Sequence, residues 1–173
     1  MIAISSFTAF LSQIFLMLTK ILENNYKTAE NFSASTGIPL KEVEVLFKSN
    51  QIQELSILSK EFMILQKFFD NGKVHDFKQK IEIRKCYEVN NCNQIASFDD
   101  QDYGVNEKYL LWHGTKIKNI KHILTQGFKL AEYNKGMFGN GIYFADRMSK
   151  SAQYCDQDRS GVLLLCEVAL GNM

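Results

Sequence analysis

The chain has 173 residues, 46% of them hydrophobic, with 20 Lys and Arg against 19 Asp and Glu. That length suits one domain with at most a smaller companion, and 13 phenylalanines can furnish a real core. The near-cancelling charges, with no basic run, argue against a global grip on nucleic acid or anionic lipid.

The four cysteines, Cys86, Cys92, Cys155 and Cys166, contain no Cys-x-x-Cys pair. They read as free thiols of an intracellular, reducing compartment. His75, His113 and His122 do not provide ligand pairs at the tight spacing zinc requires, so no metal is expected.

Met1 to Thr19 carries no charged side chain, which raises the question of a signal or membrane segment. No basic region precedes it, and Ser5, Ser6, Thr8, Ser12 and Gln13 interrupt it. Phe7, Leu11, Ile14, Phe15, Leu18, Ile21 and Leu22 recur at helical spacing, which predicts a core helix near 7–24 and no membrane span. Further helices are predicted near 27–36, 40–58 and 58–70. Gly37 and Pro39 mark the break before the third, and Asp70-Asn-Gly72 the stop of the fourth.

From residue 76 the pattern changes. Phe77 to Val89 alternates Ile81 and Ile83 with polar neighbours and reads as a strand. Asn90 to Gly104 is polar and turn-rich, a loop. Lys108-Tyr-Leu-Leu-Trp112 reads as a second strand entering His113-Gly114. Thr115 is a candidate N-cap for a helix over Lys116 to Gln126, with Gly127 as its stop. Phe128 to Leu130 reads as short and extended, and Gly141 to Ala145 as a strand leaving a glycine-rich turn. Asp146 or Ser149 would cap a short helix running to about Tyr154. Gly161 to Leu170 is a long apolar strand, suited to the centre of a sheet. Helices first, then strands with short helices between them, give an α+β fold. The expected division is a helical, regulatory-like segment over 1–71 and an α+β domain over 72–173.

Chemistry concentrates in two segments, Tyr109 to Thr115 and Gly136 to Cys155. Gly114 lets backbone approach a ligand without a Cβ in the way. One residue's N–H and C=O form a donor–acceptor pair that matches a carboxamide. His113 can hydrogen-bond a ribose hydroxyl. Ser151 and Tyr154 are three apart on the predicted helix and share a face. Hydroxyl and ring together suit a planar aromatic amide, and Tyr143 can form the opposite wall. Taken singly, each reads first as an ordinary turn or core residue. Gly136-Met-Phe-Gly-Asn-Gly141 precedes a strand, the reverse of the Rossmann order, and a Walker phosphate loop is absent.

The segments Leu110 to Thr115, Ile123 to Phe128, Met137 to Asp146, Ser149 to Cys155 and Cys166 to Met173 follow one another in order. Together they resemble the catalytic domain of the poly(ADP-ribose) polymerases. Residues 61–89 resemble the junction leading into that domain, and residues 1–58 its helical regulatory subdomain. The resemblance implies an ADP-ribosyltransferase-type mixed or antiparallel sheet and NAD as substrate. ADP-ribose would be transferred to protein acceptors, with release of nicotinamide. By the same resemblance, His113 would hold the adenine-side ribose, with the hydroxyl of Thr115 near the adenosine. Gly114 and Ser151 would bind the nicotinamide carboxamide. Tyr154 would stack on the nicotinamide ring, with Tyr143 across from it. A nuclear location also follows from the family, whereas no nucleic-acid motif or membrane anchor is expected.

The family's catalytic glutamate lies several strands beyond Gly171-Asn-Met173, so no catalytic residue is assigned within the 173 residues. The fold is expected to be incomplete at that end, C-terminally truncated, with the Val162–Leu170 strand unpaired on one side. Impaired transfer by this chain follows from that expectation. Asn140 stands where elongating members of the family often carry Lys, which counts against polymer synthesis. The alternative is a non-catalytic module that binds NAD, ADP-ribose or a protein.

Overall fold

The computed structural model describes residues 2–4, 11–19, 28–74, 81–90, 108–130, 135–136, 138–156 and 161–169. The first half runs β1 (Ile2–Ile4), β2 (Leu11–Thr19), α1 (Thr28–Thr36), α2 (Leu40–Ser49), β3 (Ile52–Glu54) and α3 (Lys60–Asn71). The second half runs β4 (Ile83–Val89), β5 (Lys108–Thr115), α4 (Ile117–Gln126), β6 (Lys135–Gly136), β7 (Gly139–Asn140), β8 (Ile142–Phe144), α5 (Met148–Ala152) and β9 (Gly161–Ala169).

A five-stranded antiparallel sheet in the order β3-β4-β2-β9-β5 forms the centre. Its apolar run β9 is buried on both faces, with side chains alternating between two cores. Val162, Leu164, Cys166 and Val168 join Phe32, Val43, Leu46, Ile120 and Leu124 of α1, α2 and α4. Leu163 and Leu165 join Leu65 and Phe69 of α3, Met148 and Ala152 of α5, and Trp112. The sheet is thus sandwiched between two layers of helix, the α+β arrangement the sequence predicts.

Two expectations fail together. Residues 11–19 form strand β2, not part of a helix over 7–24, and β2 pairs with β4 on one side and β9 on the other. The contiguous apolar run Ile14-Phe-Leu-Met-Leu18 satisfies a central strand as readily as a helix stripe, and pairing on both edges decides between them. The same pairing overturns the expectation that the Val162–Leu170 strand has an unpaired side. It lies between β2 and β5.

The helix predicted over 40–58 ends at Ser49. Asn50 stops it by donating both its backbone N–H and its Nδ2 to the carbonyl oxygen of Leu46. Gln51 then adopts a left-handed φ of 48°, and β3 leaves as an edge strand paired with β4. Ser59 caps α3, its hydroxyl oxygen accepting from the Phe62 N–H at 3.0 Å. The strand expected over 77–89 is described from Ile83, and residues 77–80 and most of the 90–104 loop lie outside the described residues. Phe128 to Leu130 forms no strand.

Candidate functional site

Strand β5 is the sheet's outer edge, and its geometry creates the site. Trp112 exchanges two backbone hydrogen bonds with Ala145, at 2.7 and 2.8 Å, on the side away from β9. Backbone groups alternate edges along a strand, so the N–H and C=O of Gly114 point to that same outer side. Beyond Ala145 no strand covers them among the described residues. Gly114 therefore presents a donor and an acceptor to a cavity of about 970 Å³.

The sequence explains Gly114 by its approach to a ligand. The structure adds a second reason: a Cβ there would lie 1.7 Å from the carbonyl oxygen of Ser151. The strand and α5 are in backbone contact, which only glycine permits. That contact sets Ser151 beside Gly114. Ser151 is 3% exposed, and its hydroxyl donates to the Trp112 carbonyl at 2.9 Å.

His113 packs its ring edge-on against Phe128, centroids 4.8 Å apart, and at a tilt against Phe144, at 5.4 Å. Its Nδ1 lies 2.9 Å from the carbonyl oxygen of Tyr143. A carbonyl only accepts, so Nδ1 carries the proton and Nε2 is left as an acceptor. Burial lowers the imidazole pKa below its ordinary value, and the bond to Tyr143 offsets this in part.

Tyr143 lines the cavity with its hydroxyl fully engaged. It donates to the Gly139 carbonyl at 2.6 Å and accepts from the Phe138 N–H at 3.1 Å. The tyrosine thus braces the glycine-rich turn that forms one wall. Tyr154 lines the cavity at 50% exposure. Helix α5 ends at Ala152, shorter than predicted, yet the Tyr154 N–H bonds the Ser151 carbonyl and keeps the three-residue relation.

Two capping assignments are corrected. Thr115 is the last residue of β5, and Lys116 occupies the N-cap of α4 without a side-chain bond. The free N–H of Ile117 is instead met from a distance by Asp156 Oδ2 at 2.7 Å. Thr115 Oγ1 accepts from Asn119 Nδ2 at 3.0 Å. Arg147, rather than Asp146 or Ser149, precedes α5, and the Ser149 hydroxyl bonds the Gly72 carbonyl.

His113, Gly114, Thr115, Tyr143, Ser151 and Tyr154 all line the one cavity. Sequence reasoning missed Lys116, Asn119 and His122, which line it from α4 at intervals of three. That spacing puts them along one side of the helix, beside Ile123, which lines the cavity too. It also missed Lys129 and Lys150; no carboxylate joins these cations in the lining among the described residues.

Cys86, Cys155 and Cys166 are free and buried, as expected of structural thiols, and Cys92 lies outside the described residues. Burial pushes the Cys155 thiol up to about 11 and Cys86 to about 12. No helix is long and apolar enough to cross a membrane, and no metal-ligand cluster occurs, among the described residues.

The poly(ADP-ribose) polymerase catalytic-domain family matches residues 59–173, starting at the cap of α3. The chain is 38% identical over 128 residues to poly [ADP-ribose] polymerase 2-A of Oryza sativa subsp. japonica, covering 69% of this chain. It is 39% identical over 124 residues to poly [ADP-ribose] polymerase 2 of Zea mays, covering 66%. Against poly [ADP-ribose] polymerase of Drosophila melanogaster it is 37% identical over 131 residues, covering 71%. These matches span 19%, 19% and 13% of the relatives' own lengths. The chain belongs to the poly(ADP-ribose) polymerase catalytic-domain family.

Proposed function

We propose that the cavity binds NAD by its nicotinamide end and serves transfer of ADP-ribose to protein acceptors, with nicotinamide as the leaving group. The observation that carries this is the outward-facing backbone pair of Gly114 with Ser151 beside it. The Gly114 N–H would donate to the carboxamide oxygen, and its C=O would accept from the carboxamide nitrogen. Ser151 Oγ, its proton committed to Trp112, would accept the second amide N–H. Tyr154 would stack on the ring, and His113 Nε2 would accept from a ribose hydroxyl.

Cleavage of the nicotinamide–ribose bond develops positive charge on the ribose, which a nearby carboxylate stabilises. Among the described residues no carboxylate lines the cavity. That observation supports a second reading, in which this chain holds NAD or ADP-ribose without turning it over. By family resemblance the setting is nuclear, and exclusion of a tagged chain from nuclei would count against that part.

Titration calorimetry with benzamide and with NAD tests the pocket. Both should bind, and Tyr154→Ala should weaken both while leaving the fold intact, because Tyr154 is half exposed. No binding by a well-folded chain would overturn the proposal. Transfer is tested separately by incubation with labelled NAD. Strong self-modification by the 173-residue chain would exclude the non-catalytic reading.

A further inference from the structure

We infer that Ser149 is a positioning residue, clasping the end of α3 so that α5 presents Ser151 and Tyr154 to the pocket. The inference rests on the pocket reading given above. Ser149 is 2% exposed and does not itself line the cavity. Its backbone N–H and its hydroxyl both donate to one acceptor, the Gly72 carbonyl, each at 3.2 Å. That carbonyl lies just beyond α3, 77 residues away in sequence.

Three further contacts make the joint a fixed one. A Cβ on Gly72 would lie 2.9 Å from the Met148 backbone nitrogen, so the end of α3 sits directly on the first turn of α5. Phe68 stacks on Trp112 with centroids 5.5 Å apart, and Phe69 meets the same ring edge-on at 6.0 Å. The Trp112 carbonyl in turn receives the Ser151 hydroxyl. Helix α3 therefore supports the pocket by two routes, through Ser149 into α5 and through Trp112 into β5. No residue of α3 lines the cavity itself.

A helix of five residues does not hold its own geometry, because so short a helix is marginal without external contacts. The Ser149 clasp supplies an external contact at its N-terminal turn. Binding and support are then linked reciprocally: whatever steadies α5 from the pocket side must also steady the end of α3.

Hydrogen exchange of the 173-residue chain, with and without benzamide, tests this without mutation. Benzamide should slow exchange of the amides of residues 68–73, which it does not touch. Ser149→Ala keeps the backbone bond and the Trp112 route, so it should reduce that protection and weaken benzamide roughly 3- to 10-fold, the worth of one buried hydrogen bond. Ser149→Thr, which keeps the hydroxyl, should retain most of the affinity. Benzamide binding without protection of 68–73, or equal affinity in a folded Ser149→Ala chain, would overturn the inference and spare the pocket reading. Failure of the wild-type chain to bind benzamide would overturn both. Should Ser149→Ala not fold, the exchange measurement on the wild-type chain decides alone.

Discussion

The hydroxyl of Ser151 gives its only proton to the carbonyl oxygen of Trp112, at 2.9 Å. Its lone pairs are what it can offer a ligand, so towards a carboxamide it is an acceptor and the Gly114 N–H is the donor. Ser151→Ala removes one acceptor from the pocket. The Trp112 carbonyl stays bonded to the Ala145 N–H, so no buried group is orphaned. The expected cost in stability is about 1 kcal/mol, and the expected loss in benzamide affinity about 5- to 10-fold. Calorimetry beside thermal unfolding checks both, and a change in stability without one in affinity would contradict this role.

Gly114→Ala should be far harsher. Its Cβ would lie 1.7 Å from the Ser151 carbonyl oxygen, so α5 must move or β5 must buckle. Overpacking of this kind costs ~1–3 kcal/mol, and benzamide binding should disappear. A folded Gly114→Ala chain with native affinity would show that β5 and α5 are not in backbone contact.

Strand β9 and helix α4 were legible because their patterns are local and redundant. A long apolar run serves a central strand, and Ile120, Ile123 and Leu124 mark one helix face before Gly127. Residues 11–19 were misread because their apolar positions fit both periods, and the choice rests on β4 and β9, which are remote in sequence. Strand β3, three residues long, exists only through its pairing with β4. The pocket residues named from sequence sit in two contiguous motifs. Lys129 and Lys150 were missed because the folded chain alone brings them to one cavity. The dual use of Gly114 was also invisible, since Ser151 reaches it only in three dimensions.

Tyr87 is fully buried within a mutually edge-on set with Phe32 and Phe47. Its hydroxyl finds no hydrogen-bond partner among the described residues. Burial, with Glu54 and Cys86 adding to it, raises its pKa, so the phenol remains protonated. Tyr87→Phe keeps the ring contacts and removes a buried polar group lacking a partner. Chemical denaturation should find the variant as stable as the wild type or more stable, by up to about 1–2 kcal/mol. A clear loss of stability would reveal a partner for that hydroxyl.

His113 predicts a direction for pH. Its folded pKa is lowered from 6.5, chiefly by burial, so the unfolded chain takes up the proton first as pH falls. Stability contributed by the neutral ring is present above about pH 6.5 and is lost below it, with a slope of at most about 1.4 kcal/mol per pH unit. Unfolding midpoints between pH 7.5 and 5 should fall, and His113→Asn should flatten the decline. NAD binding should weaken over the acid part of that range, because a protonated ring no longer offers Nε2 as an acceptor.

Lys116, Lys129 and Lys150 face the cavity without a lining carboxylate among the described residues. A ligand carrying a pyrophosphate should therefore gain from charge, and a neutral one should not. Raising salt from about 0.05 to 0.5 M shortens the screening length from roughly 14 to 4 Å. NAD affinity should drop several-fold across that range while benzamide affinity holds. Lys150→Gln should reduce the salt sensitivity of NAD and leave benzamide unaffected, since Lys150 is exposed and forms no ion pair among the described residues. Equal salt dependence for the two ligands would mean that the lysines do not act on the phosphates, and that the pocket recognises NAD through its nicotinamide end alone.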